Sequence, residues 1–290
     1  MPSITEIGRR HAVFSEKMLG AVFEMYKVSG IMGVGLFEQY REHILKAWSW
    51  AIDNSNQHID AARLCISFAR DRTQLLSLRL EPAELVSRLE SSVACARRAG
   101  DAKSCGRLLR ELGAIHALTG QAEQSLICYL GSEEICRQAG DKEGEAMALN
   151  SQGKAHTELH NHAAAINCLE RALSIFQEIE FADGEAEALN GLGALQLRLG
   201  LAESAIESFE KSLAICRKTD NYRCEAITLC GLGNAQMAVG QPGAAKELLT
   251  KALVLFRQLG DEQGETQVLG SISVAGLPSE QCCQDLGASI

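Results

Sequence analysis

Three observations predict an all-α fold built from repeated helix pairs. The 290 residues are 46% hydrophobic but only 5% aromatic, with 4 prolines against 26 glycines, a composition that favours packed helices over β-rich folds. Glycine and leucine recur every forty residues through the middle of the chain. Within each half of that spacing, apolar residues follow the three- and four-residue period of an amphipathic helix. Together these observations predict an α-solenoid, in which helix pairs stack along one direction.

The repeat itself is predicted to occupy residues 101–260, as four units of forty residues with no insertion or deletion between them. One column is always glycine, and the position four residues earlier is always leucine. The glycines are Gly113, Gly153, Gly193 and Gly233, and the leucines are Leu109, Leu149, Leu189 and Leu229. A glycine inside a helix costs roughly 1 kcal/mol relative to alanine. We therefore expect a close contact between helices at the glycine column.

Each repeat is predicted to consist of a first helix, a tight turn, a second helix and another tight turn. Between the two halves of a repeat, glycine suits the left-handed residue that ends a helix, and these glycines are Gly120, Gly200 and Gly240. Between repeats, a glycine stands directly before an aspartate that can cap the next helix, at Gly100-Asp101, Gly140-Asp141 and Gly260-Asp261.

The flanking regions are predicted to extend this array. Residues 1–60 read as an N-terminal helical lead-in, and residues 61–100 align as a degenerate repeat whose first helix is rich in arginine. Residues 261–274 repeat the first-helix pattern once more, as expected of a capping helix that closes a solenoid. Residues 275–290 lose the periodicity and are expected to form a flexible tail.

The pattern resembles tetratricopeptide repeats. The resemblance rests on the motif Leu-x2-Leu-Gly at Leu109–Gly113, the small residue at Ala165 and Ala205, and the aromatic residue at Tyr129 or Phe209. The sequence departs from the common repeat of about 34 residues in its longer period and in lacking the closing proline. Over residues 8–270 it also resembles the tetratricopeptide sensor region of STAND-type signalling ATPases. The resemblance implies a right-handed α-solenoid of helix-turn-helix repeats, with a concave groove lined by the first helices.

The same resemblance does not extend to the ATPase, because the sequence has no phosphate-binding loop of the form GxxxxGK[ST]. Gly153-Lys154 is followed by Ala155. There is also no CxxC pair of the kind that binds zinc and no Gly-x-Ser-x-Gly nucleophile elbow. We therefore predict that the protein is not an enzyme and needs no cofactor.

The histidines and cysteines have structural interpretations. His156, His160 and His162 lack the glutamate of the HExxH motif, and His160 shares a column with the turn glycines, so no metal site is predicted. The 11 cysteines are odd in number and spread over a long chain, which is unlike a disulfide framework, and we expect thiols. Cys136 and Cys216 share a column with phenylalanines and are expected to pack as small apolar residues. Cys230 remains a weaker candidate nucleophile, because its column faces the expected groove.

The predicted binding residues lie one position after the leucine column and one position after the glycine column, together with a neighbouring arginine. Asn150 and Asn190 each offer a donor and an acceptor, and can pair with the main chain of an extended peptide; alternatively, they only brace the array. Cations on the same surface can bind carboxylates of a partner. The partner-binding residues predicted in this way are Arg107, Arg110, Asn150, Lys154, Asn190, Cys230 and Asn234.

The function predicted from these features is that of a non-catalytic scaffold or sensor that binds a peptide or partner protein in the groove and has a regulatory role. The sequence has neither a run of about 18 apolar residues nor a secretion signal, so we expect a cytoplasmic protein that does not contact membranes. One alternative is a regulatory subunit that acts in trans on a separately encoded protease or NTPase.

A second alternative is nucleic-acid binding through the Arg-rich segment 61–110. That segment has ten Lys or Arg against five acidic residues, so it carries +5 while the rest of the chain sums to −14. The net charge of −9 makes a nucleic-acid partner the less favoured expectation.

Overall fold

A computed structural model describes residues 4–70 and 72–274 of the chain. Over these residues it contains fourteen α-helices and no β-strand, which confirms the all-α prediction. The helices are α1 (Ile4–Val28), α2 (Gly30–Asn54), α3 (Ile59–Ala69), α4 (Thr73–Ser77), α5 (Pro82–Ala99), α6 (Ala102–Leu118), α7 (Ala122–Ala139), α8 (Lys142–Glu158), α9 (His162–Glu178), α10 (Ala182–Arg198), α11 (Ala202–Lys218), α12 (Tyr222–Ala238), α13 (Pro242–Leu259) and α14 (Glu262–Val274). The expected tail, 275–290, lies outside the described residues.

The chain divides into two compact units, of which the first ends at Ala148 and the second begins at Leu149. In the first unit, α1 packs on α2, α3 on α5, α5 on α6 and α6 on α7. Its core includes Trp48 and Phe68, whose side chains are fully buried and whose rings stack with centroids 6.0 Å apart. The two rings belong to one core cluster that runs from Ala12 to Ile115, so the helical lead-in shares its core with the helices up to α6.

In the second unit, every helix from α9 to α13 packs on the next helix along the chain. The largest core cluster includes Phe209, Leu249 and Phe256. Val268 and Ile272 of α14 are fully buried against this cluster. The contacts between sequential neighbours are those of an α-solenoid.

The turns between helices contain a left-handed residue at every twentieth position. Six of these residues are glycines, as predicted, with φ from 65° to 77°. The other three are His160, Glu180 and Asp220, with φ of 58°, 55° and 53°. The geometry of the array therefore fixes the backbone at these positions whether or not a glycine is present.

The predicted aspartate caps are also confirmed. Asp101 Oδ1 accepts a hydrogen bond from the Ser104 N–H at 3.0 Å, and Asp141 and Asp261 cap their helices in the same way. Each cap satisfies a backbone donor that the first turn of a helix otherwise leaves unpaired.

The glycine column lies at a close contact between the two helices of each repeat, as predicted. A Cβ atom at Gly113 would lie 2.5 Å from Tyr129 Cε1, and one at Gly153 would lie 2.5 Å from Leu169 Cγ. Gly193 meets Phe209 in the same way. Glycine is needed here because the partner side chain occupies the space that a methyl group would fill.

The first half of residues 61–100 differs from the prediction of a single Arg-rich helix. It forms the 11-residue helix α3 and the 5-residue helix α4 instead. Arg70 ends α3 with an extended backbone, at ψ of 128°. Arg72 then turns back to donate to Glu16 Oε1 of α1 at 2.9 Å. The break therefore places an arginine beside a carboxylate of the lead-in.

Candidate functional site

The candidate site in the second unit is the surface of the first helices that bears the residues following the leucine column, which we call the amide column: Asn150, Asn190 and Cys230. The equivalent residue of the first unit is Arg110. Each member reaches toward the first helix of the following repeat. Arg110 Nη1 lies 2.7 Å from Met147 Sδ, and Cys230 Sγ lies 3.9 Å from Ser271 Oγ. The column is therefore a line of inter-repeat contacts as well as a surface.

In the first unit, Arg107 and Arg110 line the same shallow recess with Ser132 and Met147. Both arginines are half-buried. Asp141 also lines the recess, so its charge is mixed rather than uniformly basic. The two arginines that were predicted to bind carboxylates therefore share one location.

In the second unit, Asn150 combines burial with an unpaired acceptor. Its side chain is 3% exposed, and Nδ2 donates to Glu187 Oε2 at 3.4 Å. Oδ1 is buried and has no hydrogen-bond partner among the residues that the structure describes. Gly191 of α10 lies close to this oxygen, since a Cβ atom added at Gly191 would be 3.6 Å from Asn150 Oδ1. A buried acceptor without a partner costs about 1–3 kcal/mol, so a donor from a bound molecule would be stabilised at Asn150 if it displaced the atoms that cover Oδ1.

Asn190 is paired on both sides of its amide group. Oδ1 accepts from Thr228 Oγ1 at 2.9 Å, and Nδ2 donates to Cys224 Sγ at 3.4 Å. These contacts correspond to the bracing role that the sequence left open for the two asparagines. The structure therefore distinguishes Asn190, which joins α10 to α12, from Asn150, which keeps an unpaired acceptor.

The remaining predicted residues differ in accessibility. Lys154 is exposed and Asn234 is half-buried, and Asn234 Nδ2 lies 4.0 Å from Cys230 Sγ. Cys230 is only 3% exposed, and this burial raises the pKa of its thiol. The thiolate needed for nucleophilic chemistry is thus disfavoured at this position.

Sequence reasoning missed Thr228 and Cys224 as members of the site. Thr228 is fully buried, in a column that holds Ala148 and Ala188 in the two preceding repeats. A hydroxyl that replaces a methyl group in a buried column needs a partner, and Asn190 supplies it. The signal was present in the repeat alignment as one polar residue among alanines.

The other chemistry-bearing residues have structural roles. Cys136 and Cys216 are buried, which confirms that they pack like the phenylalanines of their column. His160 lies in a turn and meets His162 edge to face, with ring centroids 6.0 Å apart. Across residues 4–70 and 72–274, no group of His, Cys, Asp or Glu is arranged to hold a metal ion. None of the helices in this part of the chain combines the length and apolar character needed to cross a bilayer.

Comparison with known families decides the classification. The family model described as Tetratricopeptide repeat matches residues 104–178 and 184–258, which together make up more than half of the chain. The chain belongs to the tetratricopeptide repeat family. Both matched segments begin at or near the start of a first helix, and each spans nearly two of the forty-residue repeats. A search of curated proteins finds no significant match.

Solved structures share the fold of this tetratricopeptide repeat protein at low sequence identity. Aspartyl phosphate phosphatase F from Bacillus subtilis has a TM-score of 0.64 at 12% identity, with 98% of this chain and 83% of that chain covered. A Rap protein complexed with Competence and Sporulation Factor has a TM-score of 0.58 at 12% identity, covering 90% and 73%.

A third structure is a Signal Transduction ATPase with Numerous Domains (STAND) protein with a tetratricopeptide repeat sensor, from Pyrococcus horikoshii. Its TM-score is 0.60 at 17% identity, and the alignment covers 89% of this chain but only 39% of that chain. These likenesses show the fold, and the resemblance to a STAND sensor region that the sequence indicated is confirmed at that level.

Proposed function

We propose that this tetratricopeptide repeat protein is a non-catalytic, regulatory scaffold or sensor that binds an extended segment of a partner protein along its first helices. The observation that carries the proposal is the Asn150 amide, which is 3% exposed and whose Oδ1 has no hydrogen-bond partner within residues 4–70 and 72–274. A backbone N–H of a bound segment is the kind of donor that satisfies such an acceptor. Because every peptide has a backbone N–H, this contact gives affinity without selecting a side chain.

Charged groups near the amide column supply the selectivity in this proposal. In the second unit, exposed Lys154 lies one helical turn from Asn150, while Glu187 accepts from Asn150 itself. A partner segment with both acidic and basic side chains fits this surface better than a uniformly acidic one. The Rap protein that shares this fold was solved with Competence and Sporulation Factor bound, which supports a binding role for the fold.

The proposal is tested with a random-sequence peptide library displayed on phage and selected on the full chain. Replacing Asn150 with alanine removes one hydrogen bond, so we expect affinity for the selected peptides to fall about threefold to tenfold. Asn167→Ala is the matched control, because Asn167 is exposed on α9, the second helix of the same repeat. Failure to select any peptide, or equal affinities of the two variants, contradicts the proposal.

The alternative is a regulatory subunit that acts on a separate enzyme. It is supported by the fold likeness to the STAND ATPase, which has a tetratricopeptide repeat sensor. In this alternative the bound partner is itself an enzyme. It predicts that an NTPase or protease purified with the tagged chain changes its rate when the chain is removed. An unchanged rate contradicts the alternative and leaves peptide binding in place.

A further inference from the structure

Two cysteine thiols face each other where α11 ends and α12 begins. Cys216, near the end of α11, is fully buried, and Cys224, in the first turn of α12, is 6% exposed. The two side chains belong to one small apolar cluster with Ala186. The column position of Cys216 explains its burial but not its pairing with a second thiol.

The other repeats show how closely these two positions approach. The equivalent pairs are Cys136 with Gly144, Phe176 with Gly184 and Phe256 with Gly264. A Cβ atom at Gly144 would lie 2.6 Å from Cys136 Sγ. In a disulfide the two Cβ atoms are about 3.5–4.5 Å apart. The interface therefore brings these columns within the range of a disulfide, and in residues 101–260 only Cys216 and Cys224 place a cysteine on both sides.

The thiol pair also contacts the candidate binding surface. Cys224 Sγ accepts a hydrogen bond from Asn190 Nδ2 at 3.4 Å. Thr228 Oγ1 lies 3.9 Å from Cys216 Sγ and donates to Asn190 Oδ1 at 2.9 Å. Moving the Cys224 sulfur toward Cys216 would therefore remove one of the two contacts that hold the Asn190 amide.

We propose that Cys216 and Cys224 form an oxidisable dithiol, a modification site that closes to an intramolecular disulfide and releases the Asn190 amide. The oxidant class is a peroxide. The thiolate of one cysteine attacks hydrogen peroxide, the O–O bond breaks, and a sulfenic acid and one water result after proton transfer. The second thiol attacks the sulfenic sulfur, the S–S bond forms and a second water leaves. Two thiols are thus oxidised by two electrons while one peroxide is reduced to two waters.

The environment favours this reaction in two ways. Polar contacts with Cys224, Ser212 and Thr228 lower the pKa of the Cys216 thiol, which favours the thiolate that attacks a peroxide. Both cysteines lie close to helix ends at the turn through Thr219–Asn221. Opening of such ends requires less free energy than global unfolding, so peroxide reaches the pair while the rest of the unit stays folded.

The bond is detected by treating the folded full chain with hydrogen peroxide, alkylating the remaining thiols and digesting without reductant. Trypsin cleaves after Arg217 and Arg223, which separates Cys216 on peptide 212–217 from Cys224 on peptide 224–246. We expect these two peptides to be recovered joined, with the loss of two free thiols per chain. Absence of the joined peptides from a chain that circular dichroism shows to be folded would overturn the proposal.

Matched variants identify the sulfur atoms. Peptide 224–246 also contains Cys230, so Cys230→Ser is expected to retain the joined peptides and Cys224→Ser to abolish them. Cys136 is the internal control, because it occupies the column of Cys216 but faces Gly144, and we expect it to be alkylated. Joined peptides that persist in Cys224→Ser would show that another sulfur is the partner and would refute the assignment.

The link to the binding surface rests on the proposed function and has its own measurement. The side-chain amide resonances of Asn190 are expected to shift on oxidation of the native chain and to stay unchanged in Cys224→Ser. Unshifted resonances in an oxidised native chain would refute the release of Asn190. A disulfide that forms in a chain that binds no peptide would contradict the proposed function alone and leave the dithiol established.

Discussion

At the scale of single residues, the repeat alignment predicts packing better than it predicts binding. The glycine column could be predicted as a close contact because a mid-helix glycine is unfavourable unless space demands it. The difference between Asn150 and Asn190 was missed, because it depends on Thr228 and Cys224 two helices further along the chain, and in the alignment only the single polar residue in the column of Thr228 indicates it. These hydrogen bonds join residues of two different repeats, so the pattern within one repeat does not reveal them.

The glycine column leads to opposite predictions for the stability effects of alanine at Gly113 of α6 and at Gly131 of α7, two helices that pack on each other. An alanine Cβ at Gly113 would lie 2.5 Å from Tyr129 Cε1 and 3.1 Å from the Ser125 carbonyl oxygen, whereas one at Gly131 would meet only Leu109 Cδ1, at 3.6 Å. We expect Gly113→Ala to lower the free energy of unfolding by about 1–3 kcal/mol. Gly131→Ala is expected to raise it by up to about 1 kcal/mol, because alanine has the higher helix propensity.

Urea unfolding followed by circular dichroism measures both changes in the same way. Gly131→Ala serves as the control for Gly113→Ala, because both positions are helical and neither has a positive φ. A loss of stability of equal size in the two variants would show that the overlap with Tyr129 does not decide the effect.

At the scale of helices and turns, the sequence predicts helix starts and ends correctly where a particular residue type marks them. Aspartate caps and turn glycines lie where they were predicted. The turns at Glu180 and Asp220 carry no such signal, and their left-handed backbones follow only from the period of the array. The break between α3 and α4 was not predicted either, because it depends on the contact of Arg72 with Glu16 in a distant helix.

The turn at Glu180 provides a prediction at this scale. Its φ is 55°, in a region that costs a residue with a side chain roughly 1–2 kcal/mol. Glycine removes this cost but adds about 0.4–1 kcal/mol of conformational entropy to the unfolded chain. We therefore expect Glu180→Gly to stabilise the protein by up to about 1 kcal/mol, measured as a higher urea midpoint.

The reverse change supplies the control. Gly200 has a left-handed backbone with φ of 77° in the turn between the two helices of the next repeat, so Gly200→Ala is expected to be destabilising. An unchanged or lower midpoint for Glu180→Gly, with Gly200→Ala behaving as expected, would mean that the Glu180 side chain compensates for its backbone conformation.

At the scale of the whole molecule, charges are paired with nearby charges, and each helix is stabilised mainly by its neighbours. The Arg-rich segment carried the prediction of a nucleic-acid site, yet several of its arginines are paired with carboxylates of the first unit. Arg72 pairs with Glu16 at 2.9 Å, Arg88 with Glu84 at 3.0 Å and Arg79 with Glu38 at 3.7 Å. Glu84 is already counted in the +5 of the segment, so Glu16 and Glu38 alone offset the excess, which falls from +5 to +3. This reduction weakens the case for steering a polyanion to the segment.

Local organisation also predicts how damage to the core spreads through the second unit. Leu249 is fully buried in the cluster that joins α11, α12, α13 and α14, and Leu249→Ala is expected to cost about 2–5 kcal/mol. In a solenoid, each repeat is stabilised by its neighbours. Hydrogen exchange should therefore accelerate most in α12, α13 and α14 and least in α9. Lys251→Ala, an exposed position on α13, should leave every rate unchanged. An equal acceleration from α9 to α14 would show that the unit unfolds as one cooperative body, and nearest-neighbour coupling would then be wrong for this protein.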